Sequence, residues 1–264
     1  MSRSNHLRYL LHTSSLVIYN AAMSRYTNAA RLAELAEDQW GLITRRQAED
    51  AGVPRATFQR LAGGGSMLER VAHGVYRLAG APMPAHLALR AAWLQLYPEI
   101  PAWDRTLTQG VVSHRSAAAL HGVGHLPADT HEFTLPVRRQ TRRPDVRLHH
   151  LRLDETECTH LQGLPVTRPS RIAFDLLTEQ EDPEAVGQVA ADAIRSAREY
   201  PGAFAHALAS HAARFGLRRG DGLGLLRWLL SLVGDPRTAQ WIEQAQPDLG
   251  GDRSASSVLS ARQW

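Results

Sequence analysis

A chain of 264 residues with 44% hydrophobic content has the length for two domains and the apolar material for a sizeable core. Its formal charge of +4 favours an acidic partner, while the all-arginine makeup of its 30 basic residues, with no lysine, reads on its own as codon bias of a GC-rich genome. A single cysteine, Cys158, excludes an intramolecular disulfide and a multi-cysteine zinc finger and fits a cytoplasmic location, and no apolar run reaches the ~20 residues needed to span a bilayer.

Taken in chain order, residues 1–26 are expected to be a disordered tail or an extension upstream of a true start at Met23. The apolar patch Leu16–Tyr19 is too short and interrupted to make a signal peptide. Thr27 to Gln39 carries an apolar stripe at helical spacing and is closed by Trp40-Gly41. Thr44 and Gln47 have capping-box spacing, so a helix begins there and runs to about Ala51. Gly52 supplies a turn, and Pro54 suits the first position of a second helix through Arg60 or Leu61, ended by Gly63-Gly64-Gly65. Met67–Val71 and Val75–Leu78 read as a β-hairpin with His73-Gly74 at its turn. These elements make residues 27–80 a winged helix-turn-helix, and the stretch from Ala79 to Pro84 has the composition of a linker.

A second, mixed and mainly helical domain is expected over residues 85–250, making the whole chain α+β. Helices are predicted at His86–Tyr97, at Val111–Gly122 with Ser113 as N-cap, and at Thr167–Leu177. Glu132–Val137 and Val146–Leu153 read as strands flanking a basic turn, and Leu164–Val166 as one more. From Glu184 onward, helices at 185–198, 203–215, 223–233 and 238–244 are separated by proline or glycine, and residues 251–264 are expected to fray. Charge is uneven. Pro136–Arg152 holds six arginines against one aspartate, and Asp175–Glu199 seven acids against two arginines. That asymmetry points to nucleic acid on one side and a different partner on the other.

On the second helix of the N-terminal domain, Phe58 and Leu61 share a core-facing side, which turns Ala56, Gln59 and Arg60 outward with Arg55 and Thr57 at the N-terminal turn. That turn is where a recognition helix reaches base edges: Arg55 and Arg60 suit guanine, Gln59 adenine, and Ala56 or Thr57 a thymine methyl. Arg45 and Arg46 are placed for phosphate. Arg70, His73 and Arg77 lie on the hairpin, where a wing meets backbone or minor groove. The basic turn Arg138, Arg139, Arg142 and Arg143 extends this footprint, binds RNA or an acidic partner surface, or is a solvated hairpin tip.

With these residues in view, the chain resembles the AbiEi family, antitoxins of type IV toxin–antitoxin systems. The likeness rests on LAELAEDQWGLITRRQAEDAGVPRATFQRLAGGGSMLERVAHGVYRLAG and on VVSHRSAAALHGVGHLP followed by HEFTLPV and LPVTRPSRIAFDLL, together about residues 28–178. It implies a non-enzymatic, DNA-binding antitoxin that represses its own promoter, paired with a nucleotidyltransferase-like toxin. Two rivals remain: a nuclease targeted by the winged helix, and an antitoxin that contacts its toxin directly through the acidic helices.

Catalytic and metal-binding motifs are weak. No lysine accompanies the acids of 175–199, and Gly63–Ser66 lacks the residues that would make a phosphate loop or a nucleotidyltransferase turn. His149, His150, Cys158 and His160 suggest zinc, but adjacent histidines on a strand face opposite ways. His114 and His121 share a helix face with no carboxylate in evidence, and read as buried, hydrogen-bonded histidines. Acids around Cys158 are expected to blunt its thiol. No cofactor and no metal are therefore expected.

Overall fold

The computed structural model describes residues 28–64 and 67–246. The expectations for 1–26, for the turn at Gly65-Ser66 and for 251–264 lie outside those residues. Two compact units divide the chain, Met1–Arg105 and Thr106–Trp264.

The first unit is a winged helix-turn-helix. Helix α1 (described over 28–37) leads through Trp40 and Gly41, both at positive φ, into a short strand β1 (Leu42–Thr44). Helix α2 (Arg45–Asp50) follows without a loop, since Thr44 ends the strand and caps the helix, its side chain accepting from the Gln47 amide. Gly52 at φ +82 makes the turn into α3 (Arg55–Gly63). Pro54 proves to be the N-cap of α3, with extended backbone, one position before the expected place. The helix also runs to Gly63, because Leu61 and Ala62 still pack on the core. Strands β2 (Leu68–Ala72) and β3 (Val75–Leu78) form the hairpin, and β1 adds to its β3 edge, giving the antiparallel order β1-β3-β2. Leu32, Ile43, Ala48, Val53, Phe58 and Leu68 form the sealed core between helices and sheet.

This unit also takes in the Ala79–Pro84 stretch and helix α4 (Leu87–Leu96), which packs on the sheet and donates from Gln95 Nε2 to the His73 carbonyl at 2.7 Å. The carbonyls at its C-terminal end are met by Arg105. That buried guanidinium donates to the carbonyls of Trp93 (2.6 Å), Leu94 (2.9 Å), Tyr97 (2.6 Å) and Ile100 (3.1 Å), lying 4.2 Å over the Trp93 ring. One side chain thus caps this helix end, with the Tyr97 carbonyl also accepting from the Ile100 amide at 3.1 Å.

The second unit is built on a five-stranded mixed sheet. Its strands are β4 (Val111–Val112), β5 (His131–Leu135), β6 (Val146–His150), β7 (Cys158–Leu161) and β8 (Leu164–Thr167), in the order β6-β5-β4-β8-β7. β5 and β6 pair in parallel, His131 opposite Val146 through Leu135 opposite His150. The basic segment between them is therefore a crossover connection and not the hairpin turn expected from the sequence. Helix α5 (His114–His121) lies on β5, and α6 (Pro169–Thr178) on α5. Ser113 sits at the N-cap of α5 without a side-chain cap bond, because its hydroxyl is engaged by His114 and Thr134. Helices α7 (Pro183–Arg195), α8 (Pro201–Leu208), α9 (Gly222–Val233) and α10 (Thr238–Ala245) complete the unit. Residues 209–215, expected as one helix with 203–208, turn instead as a 3-10 helix. α7 and α9 meet at Gly187, where a Cβ would stand 2.4 Å from the Leu229 carbonyl oxygen.

Candidate nucleic-acid interface

Packing sets the orientation of α3. Phe58, 1% exposed, meets Tyr76 of the wing edge-on at 4.9 Å, with Leu61 and Ala62 half-buried beside it. Phe58 and Tyr76 thereby key the helix to the hairpin. The opposite face carries Ala56, Gln59 and Arg60, all exposed, while Arg55, also exposed, belongs to the N-terminal turn three residues before Phe58, and Thr57 is half-buried and accepts from Arg60 Nη2 at 3.2 Å. Ala56, Gln59 and Arg60 thus face outward as the sequence predicts, with Arg55 and Thr57 at the N-terminal turn.

Arg45 and Arg46 are exposed on the first turn of α2, each within 3.5 Å of an acid one turn later, Glu49 and Asp50 respectively. Such exposed i,i+4 pairs contribute only ~0.3–0.5 kcal/mol, so a phosphate can replace the acid at small cost. On the wing, Arg70 and His73 are exposed and touch at 3.4 Å. Arg77 is different. It faces Glu69 directly across the hairpin, bonds that carboxylate at 2.5 Å and also donates to the Ala81 carbonyl. Its guanidinium braces the wing from within.

In the second unit, Arg138, Arg139 and Arg142 lie exposed along the β5–β6 connection. Arg143 is half-buried and bonds Asp145, Nε to Oδ1 at 2.9 Å, which pulls the Asp145 carboxyl below its ordinary range. The segment presents arginines to solvent and anchors its end with the fourth.

The same unit gathers residues that are scattered in the sequence. The rings of His114 and His149 stack 3.6 Å apart at 12°. Glu179, at the C-cap of α6, faces both, its Oε1 lying 3.3 Å from His149 Nδ1 and 4.0 Å from His114 Nε2; Arg147 reaches the same oxygen at 3.0 Å. His149 Nε2 bonds the buried Glu132 at 2.8 Å, and His114 Nδ1 bonds Ser113 Oγ at 3.0 Å. Burial, then the adjacent His149 and the guanidiniums of Arg147, Arg171 and Arg115, push the His114 pKa down to about 2 and keep that ring neutral. The carboxylate partner missing from the sequence reading is thus supplied from 65 positions away. His121 instead bonds the Thr167 carbonyl at 2.9 Å. His150 faces outward to the Pro136 carbonyl, so the four residues His149, His150, Cys158 and His160 do not converge. Cys158 has its thiol pushed up to about 11, by burial first and by Glu157 second.

Residues 30–79 match the model of a family described as transcriptional regulator, AbiEi antitoxin. The match runs from α1 through β3 and so covers the helix-turn-helix and its wing. No curated protein matches the chain. No helix among the described residues is long and apolar enough to cross a membrane.

Proposed function

We propose, from the AbiEi-type regulator segment at residues 30–79, that this chain is a DNA-binding antitoxin that represses its own promoter within a type IV toxin–antitoxin operon, opposite a nucleotidyltransferase-like toxin. The observation that carries the reading is the outward face of α3. Arg55 at the N-terminal turn and Gln59 and Arg60 on the outward face project from a helix keyed to its wing by Phe58 and Tyr76, an arrangement that suits a recognition helix reading a major groove. Arg45 and Arg46 suit phosphates on one flank, and Arg70 with His73 suits the backbone or minor groove on the wing. Arg77 is left out of the contact set because Glu69 and Ala81 hold it. Arg138, Arg139 and Arg142 add phosphate contacts from the second unit, with Arg143 as their anchor.

The rival readings find less support. Direct contact with a toxin through the acidic helices needs free acids. Yet Asp175, Glu179, Glu181 and Asp192 are ion-paired with Arg171, Arg147, Arg115 and Arg195, and Glu199 accepts from the Ser170 amide, so of the seven acids such a contact would rest on the exposed Asp182 and Glu184. A nuclease needs carboxylates converging on a metal, whereas Glu132 is bonded to His149 and Asp175 to Arg171.

The test is binding to a labelled fragment of the chain's own upstream DNA against a scrambled duplex, across a salt series and with Mg²⁺ present. Preference for the native fragment, lost in Arg55→Ala/Arg60→Ala, supports the repressor. Equal binding to both duplexes sinks it, and cleavage of the DNA would favour the nuclease.

A further inference from the structure

We propose that His114, His149 and Glu179 form a site for one divalent transition metal of the zinc class, with His114 Nε2, His149 Nδ1 and a Glu179 carboxylate oxygen as ligands and a fourth position left open. The three donor atoms lie within 4.8 Å of one another. Tetrahedral coordination at about 2.0–2.1 Å per bond places neighbouring ligand atoms about 3.3 Å apart. The His149–Glu179 separation of 3.3 Å already meets that distance, and the His114–Glu179 separation of 4.0 Å needs only a small contraction. Because the stacked rings hold their lone pairs in near-parallel planes, binding also requires one ring to turn about its Cβ–Cγ bond.

Second partners favour this donor set. His149 presents Nδ1 to Glu179 while its other nitrogen is bonded by the Glu132 carboxylate, the arrangement that fixes the tautomer and raises the basicity of a metal-ligating imidazole. His114 presents Nε2 while its Nδ1 is engaged by Ser113 Oγ, itself bonded by Thr134 Oγ1 at 2.9 Å. The His114 backbone is held at φ 52, in the left-handed region that a β-carbon disfavours, the kind of strain that collects at ligand sites. Two nitrogens and one carboxylate suit Zn²⁺, Co²⁺ or Ni²⁺ and select against the all-oxygen preference of Mg²⁺ and Ca²⁺.

Arg147 places a positive charge on the Glu179 oxygen that a metal would claim. Its side chain is half exposed and free to swing into solvent, so cation and arginine are competitors for one carboxylate. This gives the site a signature that a purely structural histidine cluster lacks, because removing Arg147 should tighten metal binding.

The experiment uses the full chain, freed of any affinity tag and stripped with chelator, titrated with Zn²⁺ by calorimetry and with Co²⁺ by visible absorption, with Tm followed in parallel. Saturable one-to-one binding is expected, with a Tm rise of about 5 °C at a hundredfold excess over Kd and none with Mg²⁺. Glu179→Gln should weaken binding at least tenfold, and Arg147→Ala should strengthen it. His149→Gln should abolish it; should that variant fail to fold, the other two decide. Absence of saturable binding by the wild type overturns the proposal. So does binding unchanged in Glu179→Gln, which would move the metal to other histidines such as His150 and His160. Weaker binding in Arg147→Ala would overturn it as well.

Discussion

Gln39 and Gln47 exchange two side-chain hydrogen bonds inside the first unit, Nε2 to Oε1 at 2.8 Å one way and 3.1 Å the other. Gln47 is also the third residue of the Thr44 capping box, its Oε1 accepting from the Thr44 amide. Gln47 Nε2 donates to the Ile100 carbonyl at 3.1 Å, and Gln39 Oε1 accepts from the Ala102 amide at 2.8 Å. One buried amide pair therefore joins the start of α2 to the segment after α4. Gln39→Leu or Gln47→Leu should each destabilise the protein by about 2 kcal/mol, and the double variant should fall short of the sum by about 1 kcal/mol. Urea unfolding of the four proteins measures this; strict additivity would refute the coupling.

Arg105 is buried at the end of α4, away from the outward face of α3, and its replacement should be severe. Arg105→Met takes the guanidinium away from four carbonyls around the end of α4, of which the Tyr97 carbonyl keeps the Ile100 amide and the Ile100 carbonyl keeps Gln47 Nε2, at a cost of about 3 kcal/mol. Thermal unfolding would show it as a lower Tm. A variant as stable as wild type would mean that water replaces the guanidinium freely.

Cys158 should be inert in the folded chain. With its thiol near pKa 11, about one molecule in a thousand carries the thiolate at pH 8, so a maleimide should label it only after unfolding. Because the folded pKa is raised above the ordinary 9.0, this group's contribution to stability is complete below pH 9 and is lost as pH rises through 11. Rapid labelling of the native protein at pH 8 would contradict the burial.

The two wing arginines should separate function from stability. Arg70→Ala should weaken DNA binding and reduce the salt slope by about 1, with Tm unchanged. Arg77→Ala should lower Tm, since it unpairs Glu69 and releases Ala81. The reverse pattern would reassign the contact.

Gly187→Ala should part α7 from α9, because the new methyl meets the Leu229 carbonyl as well as the Val233 side chain, and the backbone cannot move aside. A loss of about 2 kcal/mol is expected by calorimetry.

What the sequence made legible is local. The Thr44–Gln47 cap, the turn at Gly74 and the outward face of α3 each depend on residues a few positions apart, and the structure has all three. β1 went unseen because three residues cannot display an alternation, and its last residue doubles as a helix cap. The direction of β6 was equally hidden. Two apolar runs separated by polar residues look the same whether they pair parallel or antiparallel, and only β4, two residues long, fixes the sheet around β5. Of the site, the arginines were readable and their commitments were not. Nothing near Arg77 announced Glu69 as its cross-strand neighbour, and nothing near His114 announced Glu179.

The parallel pairing of β5 with β6 has a consequence for how the basic segment can be altered. A hairpin tip can be cut back to two residues, but here the chain must travel the whole length of β5 again before β6 begins, roughly 13 Å in four steps of 3.3 Å. Residues 136–145 supply that reach. Swapping Arg138, Arg139 and Arg142 for glutamine leaves the tether intact, whereas excising residues 138–143 leaves four residues, whose full extension of about 14 Å is used up by the span and leaves none to reverse direction at the strand ends. Charge on this strap is negotiable; its length is not.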